Sequence, residues 1–231
     1  MSPAAAAALR RCCTMIEALT RPTTLHLLPE LCLRLADPAL AVWQSPDAWH
    51  APGSPGQGHD EPWWAFAWAG GQAIARYLLD HPDTVRGRRV LAFAAGCGVE
   101  AIAAARAGAS HVIATEIDPL CEPAIAANAA INSVNVHVTI ADVIGSALHD
   151  QDVVLAGDVF YEQQLGERIW PWLHDFVARG GTVLVGDPGR TWLPVNRLRR
   201  LATYSARSQS HVEDDAVRNV GVFTIAPNPS P

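Results

Sequence analysis

A chain of 231 residues with 49% hydrophobic residues suits one α/β domain with an N-terminal addition, and this composition argues against disorder. The formal net charge of −6 and the pI near 5.8 give no general basic field for binding nucleic acid. No apolar run reaches the ~18 residues of a membrane span, so we expect no membrane association. The five cysteines are scattered and form no C-x-x-C pair, which predicts a reduced, intracellular protein. The cysteines and the nine histidines show no metal-ligand spacing, so we expect no metal site.

The N-terminal quarter is predicted to be an addition to the main domain. Residues 1–20 favour a helix or a loose arm, and residues 25–35 carry apolar side chains at helical intervals. Residues 48–61 are rich in Pro, Gly and His, which is typical of a mobile loop. We therefore divide the chain into an N-terminal helical arm with a mobile loop, 1–61, and a main domain, 62–231.

The main domain begins with a dense aromatic cluster at residues 62–71, PWWAFAWAGG, and a predicted helix at 72–79. The cluster could pack this helix onto a sheet. Alternatively, Trp64 or Trp68 could form an aromatic wall over a bound ligand, because a cation over a Trp face gains ~0.5–2 kcal/mol. Both interpretations can hold for different members of the cluster.

Residues 90–118 read as one strand–loop–helix–strand unit. The apolar run 90–93 predicts a buried parallel strand, and Ala94, Ala95, Gly96 and Gly98 belong to a turn of small residues that admits close approach by a ligand. An Ala-rich helix is expected at 100–107, followed by a strand at 111–117 that contains Glu116. An acid about 20 residues after such a turn is suited to holding a ribose diol, which predicts a nucleoside-containing cofactor.

Further acids follow the predicted strands 136–140 and 152–156. Asp142 and Asp158 stand at their ends, and acids at consecutive strand ends would crowd the carboxyl edge of the sheet. A pyrophosphate gains nothing from that negative charge, whereas a cationic sulfonium cofactor does. An NAD-dependent oxidoreductase with a Tyr-x-x-x-Lys centre is excluded, because all 17 basic residues are arginine.

The C-terminal third completes an α/β pattern. We expect a helix at 162–177 interrupted by Pro171, a fifth strand at 182–185, and a helix at 197–201. Residues 202–210 and 219–225 alternate enough to predict a terminal antiparallel hairpin. Asp187 follows the fifth strand and could cap the next helix or contact substrate, while Arg190 could bind a substrate acid or hold its own loop.

The chain resembles class I, seven-β-strand methyltransferases that use S-adenosylmethionine, and among them the lysine methyltransferases of the electron transfer flavoprotein beta subunit. The resemblance is carried by residues 62–72, 96–98, 116–119, 157–161 and 186–190. The Gly-rich turn is generic to the superfamily, and the other segments are more specific. The resemblance implies an α/β fold with a Rossmann-like, doubly wound, seven-stranded sheet, mostly parallel with a C-terminal antiparallel hairpin.

The resemblance also implies roles by position. The turn from Ala94 to Gly98 would pass under the methionine part of S-adenosylmethionine, and Glu116, beside Ile117, would bond both ribose hydroxyls. Asp142 would accept a hydrogen bond from the adenine amino group, with Val143 beside it. Asp158 and Tyr161 would lie where a lysine amine meets the methyl group. Asp158 could instead cap the helix that follows it.

One residue departs from the superfamily pattern. The first strand commonly ends Val-Leu-Asp, and Ala92 stands here in place of the aspartate. The missing carboxylate normally helps to order the loop under the amino group of the cofactor. This departure keeps a noncatalytic nucleoside-binding module as one alternative.

The functional prediction is a protein-lysine N-methyltransferase whose substrate is the electron transfer flavoprotein beta subunit. Alternatives are methylation of another protein, such as a ribosomal protein, or of a small amine. We expect a cytoplasmic location, or the mitochondrial matrix in a eukaryote.

Overall fold

A computed structural model describes residues 12–43, 62–207 and 217–225. Its strands are β1 (Thr20–Leu25), β2 (Leu28–Ala36), β3 (Arg89–Phe93), β4 (His111–Glu116), β5 (His137–Ile140), β6 (Val153–Gly157), β7 (Thr182–Asp187), β8 (Leu198–Arg207) and β9 (Val217–Ile225). Its longer helices are α1 (Ala69–Asp80), α2 (Val99–Arg106), α3 (Cys121–Ile131) and α4 (Gln163–Ala178). Residues 12–19 are also helical, and one-turn 3-10 helices occur at Ala41–Trp43, Trp63–Ala65, Pro82–Thr84 and Val195–Arg197.

The main sheet has seven strands in the order β5-β4-β3-β6-β7-β9-β8. The first five are parallel, and β9 is antiparallel to both β7 and β8. The predicted Rossmann-like, mostly parallel sheet with an antiparallel C-terminal hairpin is therefore confirmed. In this order the chain reverses direction across the sheet between β3 and β6, where open α/β sheets place their ligands.

The central strands are buried because their side chains are apolar on both faces. In β3 and β6 every residue but the first and last, respectively, is buried, as the continuous apolar runs predict. Helix α2 is rich in alanine, whose small side chains allow it to pack closely beside the sheet. The predicted strand and helix limits agree with the structure to within two residues in this region.

The prediction of helical packing at residues 25–35 is wrong, because these residues belong to an antiparallel hairpin of β1 and β2. Leu31, Leu33 and Leu35 are all buried, which is the period of two of a strand with one face in the core. Leu31 and Leu35, four residues apart, fit both a helical period and the period of two, which is why the apolar pattern alone misled us. The hairpin packs against residues of α1, α2 and the loop after β3.

Two predictions in the C-terminal third also need correction. Residues 197–201 are not helical, because the 3-10 turn ends at Arg197 and β8 begins at Leu198. Helix α4 continues through Pro171 without a break. Proline removes one backbone donor, so the tertiary contacts of α4, such as those of Trp172 and Leu173, outweigh this loss.

Residues 1–11 and 48–61, which the sequence predicts to be a loose arm and a mobile loop, lie outside the described residues, as do 208–216. The division of the chain at residue 61 stays a prediction. No helix in the described segments is both long and apolar enough to cross a membrane.

Candidate functional site

A cavity of about 440 Å³ opens at the carboxyl edge of the parallel strands. It lies beside the crossover between β3 and β6, so strand ends and the loops after them form its walls. The walls combine aromatic side chains from residues 63–68 with carboxylates from four separate elements. The acidic lining residues are Glu100, Glu116, Asp142 and Asp158.

The loop after β3 forms the floor of this cavity, and several of its residues adopt left-handed backbone angles. The φ angles are +51° at Ala94, +51° at Gly96 and +82° at Gly98. A Cβ on Gly96 would lie 3.1 Å from the backbone oxygen of Trp63, so a side chain there is opposed by both strain and space. Ala94, Ala95 and Gly96 line the cavity, as the prediction of a cofactor contact requires. Gly98 was predicted to contact the cofactor as well, but it does not line the cavity and instead caps the start of α2.

Glu116 ends β4 and is held at the cavity by backbone donors. Gly96 N–H donates to its Oε1 (2.6 Å), and Ile117 N–H donates to its Oε2 (3.1 Å). Burial raises the pKa of this carboxyl, and the two backbone hydrogen bonds oppose that effect. Ile117 is 72% exposed and lines the cavity beside it, where it offers an apolar surface to a flat ring.

Asp142 lies at the outer part of the cavity, after β5. Its Oδ2 accepts a hydrogen bond from Arg168 (2.6 Å) and its Oδ1 accepts one from Ile144 N–H (3.0 Å). The Arg168 guanidinium holds the pKa of Asp142 below its usual value. Val143 does not line the cavity, whereas its neighbour Ile144 does. The prediction that Val143 contacts the cofactor therefore needs correction, because Ile144 stands on the cavity wall in its place.

Asp158 is the first residue after β6 and has a left-handed conformation, with φ of +59°. Its Oδ2 accepts hydrogen bonds from the backbone N–H groups of Gly70 (2.5 Å) and Gly71 (3.2 Å), at the start of α1. Its Oδ1 accepts one from Arg190 (3.0 Å). Asp158 thus caps a helix, as the alternative interpretation allowed, but the helix is α1 rather than the one that follows it.

Aromatic rings form the wall near Asp158. The ring of Trp63 lies 5.4 Å from Tyr161 and 5.0 Å from Trp68, and all three residues line the cavity. Tyr161 is 45% exposed, so it stands at the mouth. Trp64, by contrast, is fully buried and packs edge-on against Trp43 in the core.

The prediction of Trp64 as part of the aromatic wall therefore needs correction, since its neighbour Trp63 occupies that wall. Trp63 and Trp64 share a single 3-10 turn, and nothing in two identical adjacent residues indicates which one faces the ligand. Trp68 is on the wall as predicted.

Asp187 and Arg190 follow β7. Asp187 is buried, and its Oδ1 accepts hydrogen bonds from the N–H groups of Gly189 and Arg190, both at 2.7 Å. Asp187 does not line the cavity, so it orders the loop rather than contacting a ligand there. Arg190 does line the cavity and pairs with Asp158.

Sequence reasoning missed Glu100, in the first turn of α2. This carboxyl is 2% exposed, lines the cavity, and has a pKa raised to about 8 by burial and by the nearby Asp158 and Glu116. The available signal was one acid inside the otherwise apolar segment VEAIAAA. Buried acids without a partner are rare outside functional sites.

The charges of the cavity suit a cation. Of the three arginines on its walls, Arg168 pairs with Asp142 and Arg190 with Asp158, and Arg218 is the third. Glu100 and Glu116 lie deeper and are not neutralised by either pair. A sulfonium nucleoside with an ammonium group fits this acid-rich, aromatic-walled cavity. In the described residues, no group of three His, Cys, Asp or Glu side chains could hold a metal ion.

Comparison with known families identifies methyltransferases. The family model of the ribosomal protein L11 methyltransferase (PrmA) matches residues 76–170, which run from the second half of α1 through β3, α2, β4, α3, β5 and β6 into α4. This segment contains most of the residues that line the cavity.

Curated relatives match most of the chain. The electron transfer flavoprotein beta subunit lysine methyltransferase of Xenopus laevis is 37% identical over 215 residues, covering 90% of this chain and 84% of that protein. The human protein of the same name is 36% identical over 208 residues, covering 87% and 76%. The rat protein is 35% identical over 208 residues, covering 87% and 78%.

Solved structures support the fold. The 16S rRNA N2 G1207 methyltransferase of T. thermophilus, solved with S-adenosylmethionine and guanosine, covers 90% of this chain with a TM-score of 0.54. This chain spans 50% of that protein, and the sequence identity is 16%. At this identity the similarity shows a shared sheet and no more.

Proposed function

The chain belongs to the family of electron transfer flavoprotein beta subunit lysine methyltransferases, and on this premise we propose that it methylates lysine side chains of that flavoprotein subunit. It is a methyltransferase, and its cofactor is S-adenosylmethionine. The observation that carries the substrate proposal is the 35–37% identity over more than three quarters of the relatives that bear this name.

For the cofactor, we assign the ribose to Glu116 and the adenine to Ile117 and Asp142. The carboxylate of Glu116 is fixed by two backbone N–H groups, so it needs no rearrangement to accept from two hydroxyls. The exposed Ile117 side chain can cover one face of the purine. The loop from Ala94 to Gly98 would lie under the methionine part.

S-adenosylmethionine supplies a methyl group on a positively charged sulfur, which is transferred when a neutral amine attacks in line. Free lysine has a pKa of ~10.4, so the protein must favour the neutral amine. Desolvation against Trp63, Trp68 and Tyr161 lowers the pKa of the entering ammonium, whereas the attraction of the cation to the rings and to the carboxylate of Asp158 opposes this effect. The proton can then leave to solvent at the mouth before the amine reaches the methyl group.

Asp158 and Tyr161 are our candidates for aligning the lysine nitrogen. Asp158 already accepts hydrogen bonds from Gly70, Gly71 and Arg190, which makes its carboxylate a poor proton acceptor. We therefore assign Asp158 an electrostatic, orienting role rather than that of a general base. Correct alignment alone can supply several kcal/mol toward the barrier.

The free thiols of the chain are the feature that supports a proposal for its cellular compartment. All five cysteines of the chain are free thiols, and two of them, Cys97 and Cys121, are buried. Free thiols are favoured in a reducing compartment. We propose the cytoplasm, or the mitochondrial matrix in a eukaryote, as the site of action.

The test is a labelling assay with tritiated S-adenosylmethionine and a panel of acceptors: the flavoprotein beta subunit, ribosomal protein L11, histones and free lysine. We expect label on lysines of the flavoprotein subunit. Because this chain contains no lysine, any lysine label found by mass spectrometry originates from the acceptor and not from self-methylation. Equal or stronger labelling of L11 would move the substrate to ribosomal protein.

A further inference from the structure

Glu100 is a buried carboxylate that faces the cofactor cavity from helix α2. It is 2% exposed and occupies the first turn of that helix. A Cβ built on Gly71, at the start of α1, would lie 3.0 Å from Glu100 Oε2. The absence of a side chain at Gly71 therefore leaves the space that this carboxylate occupies.

No cation of the described residues neutralises Glu100. The one hydrogen bond that lowers its pKa comes from its own backbone, and the charged groups that act on it, Asp158 from β6 and Glu116 from β4, are both acids. Cys97, in the loop beside it, is a buried neutral thiol. An ionised carboxyl in such a place is costly unless a ligand brings a positive charge.

The other acids of the cavity have partners already on the protein. Asp142 pairs with Arg168, and Asp158 pairs with Arg190 and the start of α1. Glu116 accepts two backbone hydrogen bonds and is assigned to the ribose. Among the described residues, Glu100 is thus the acid of the cavity that has neither a paired cation nor a hydrogen-bond donor beyond its own backbone.

We propose that Glu100 binds the ammonium group of the amino acid part of S-adenosylmethionine. This inference rests on the assignment of the cavity as the cofactor site. The cofactor carries two cations, and only the ammonium has N–H groups that can donate to a carboxylate, since the sulfonium has none. The end of β3 provides no acid, because Ala92 stands there, so Glu100 supplies the carboxylate of the β3–α2 connection from the helix instead.

Two ammonium groups reach this cavity in the reaction, that of the cofactor and that of the lysine. The lysine enters past Tyr161, which is exposed at the mouth, whereas Glu100 is buried beside Gly71 and the loop after β3. The depth of Glu100 favours the cofactor. Titration of the cofactor product in the absence of any lysine substrate separates the two sources.

The pKa of about 8 gives the proposal a proton signature. At pH 7 the ligand-free carboxyl is mostly protonated, and it must ionise to pair with the ammonium. Binding should therefore release close to one proton, and affinity should rise between about pH 6 and pH 8. The acidic groups that face Glu100 are Glu116, Asp158 and Cys97, and burial raises the pKa of the Cys97 thiol to about 12, far above this range.

The experiment is isothermal titration of S-adenosylhomocysteine and of its analogue with hydrogen in place of the amino group, into the wild type and Glu100→Gln. The wild type should bind the analogue at least tenfold more weakly than S-adenosylhomocysteine. Glu100→Gln should bind S-adenosylhomocysteine at least tenfold more weakly than the wild type does, yet bind the analogue with unchanged affinity.

One further measurement needs only the wild type, and the variant itself supplies a second outcome that can overturn the proposal. Titration of the wild type in buffers of different ionisation enthalpy should show release of about one proton at pH 7, and absence of release would overturn the proposal. Equal loss of affinity for both ligands in Glu100→Gln, or no loss, would also overturn it. Because no acceptor protein is present, these outcomes do not depend on whether the flavoprotein subunit is the substrate.

Discussion

Ala94 carries a strained backbone in the loop that supports the cofactor. Its φ of +51° places a non-glycine residue in the left-handed region, which costs about 1–2 kcal/mol. Asp158 shares this strain at φ of +59°, and both residues line the cavity. The strain is stored where the backbone must come closest to the ligand.

Ala94→Gly should relieve this strain and raise the free energy of unfolding by about 0.5–1 kcal/mol, as measured by urea denaturation. Ala95→Gly is the control, because its φ is not positive, so glycine there relieves no strain, loosens the unfolded chain and removes a buried methyl group. It should lower the free energy of unfolding by at least about 1 kcal/mol. A destabilised Ala94→Gly variant would show that the left-handed conformation is not strained.

Asp158→Asn tests the orienting role at the mouth of the cavity. Asparagine keeps one oxygen acceptor for the start of α1 but loses the charge that pairs with Arg190. We expect kcat to fall at least tenfold while the dissociation constant of S-adenosylhomocysteine changes less than threefold. Arg190→Gln, which removes only the ion pair, is the control and should reduce kcat less. Turnover of Asp158→Asn within a factor of two of the wild type would leave Asp158 a structural cap.

At the residue level, the acids at the strand ends and Trp68 were predictable, whereas Glu100 and the choice between Trp63 and Trp64 were not. Glu116 and Asp158 follow apolar runs, and a strand end fixes its side chains at one edge of a parallel sheet. Whether Trp63 or Trp64 faces the cavity depends on the rotation of one 3-10 turn, which tertiary packing sets. Glu100 was not predicted because an acid in the first turn of a helix is common, since its negative charge interacts favourably with the helix dipole.

Among the elements, the β1–β2 hairpin is joined to the cofactor loop through helix α3. Asn128 Nδ2 donates to the carbonyl of Cys97 (2.9 Å), and its Oδ1 accepts from Arg34 N–H (2.6 Å). Asn132 Oδ1 accepts from Cys32 N–H (3.1 Å), and its Nδ2 donates to the Cys32 carbonyl (2.6 Å). Two side-chain amides thus satisfy the edge of β2, and one of them also holds the loop under the cofactor.

Asn128→Ala should lower the free energy of unfolding by about 2–4 kcal/mol, because it leaves the partly buried N–H of Arg34 and the buried carbonyl of Cys97 without this side-chain partner. It should also weaken S-adenosylhomocysteine binding, since the loop loses its support. Glu122→Ala on the exposed side of α3 is the control and should change neither quantity. If Asn128→Ala unfolds at the same urea concentration as the wild type, the side-chain amide of Asn128 does not stabilise the hairpin and the loop.

The elements themselves were predictable where the period of the apolar residues was unambiguous. Strands β3 and β6 are continuous apolar runs, and the structure has them at the predicted places. The N-terminal hairpin was missed because Leu31 and Leu35 fit a helix as well as a strand, and the residues of α3 and its end that bind β2 are about 100 positions away in sequence. Contacts between residues so far apart in sequence cannot be predicted from the local spacing of apolar residues.

For the whole molecule, the acid-rich cavity makes stability depend on pH. The pKa of Glu100 is raised from 4.5 to about 8, and burial also raises that of Glu116. The folded state therefore binds more protons than the unfolded state between about pH 4.5 and pH 8, so these groups reduce stability as pH rises through that window. The raised pKa values of these two acids thus destabilise the ligand-free protein as the pH rises through this window.

Glu100→Gln should be more stable than the wild type at pH 8.5 without ligand, and the two should approach each other at pH 5. The reason is that glutamine removes the ionisable group whose folded-state pKa is raised. Thermal melts at the two pH values measure this difference. Adding saturating S-adenosylhomocysteine should reverse the order at pH 8.5, since the wild type gains more from binding. Identical pH profiles in the two proteins would show that Glu100 does not titrate in this range.

The structure of the protein with S-adenosylhomocysteine bound tests the central claim most directly. Both ribose hydroxyls should lie within hydrogen-bond distance of Glu116, with the sulfur facing the opening between Trp63, Tyr161 and Asp158 and the ammonium on Glu100. A ligand that lies elsewhere, or whose sulfur points away from that opening, would contradict the account of this cavity as the place where lysine meets the methyl group.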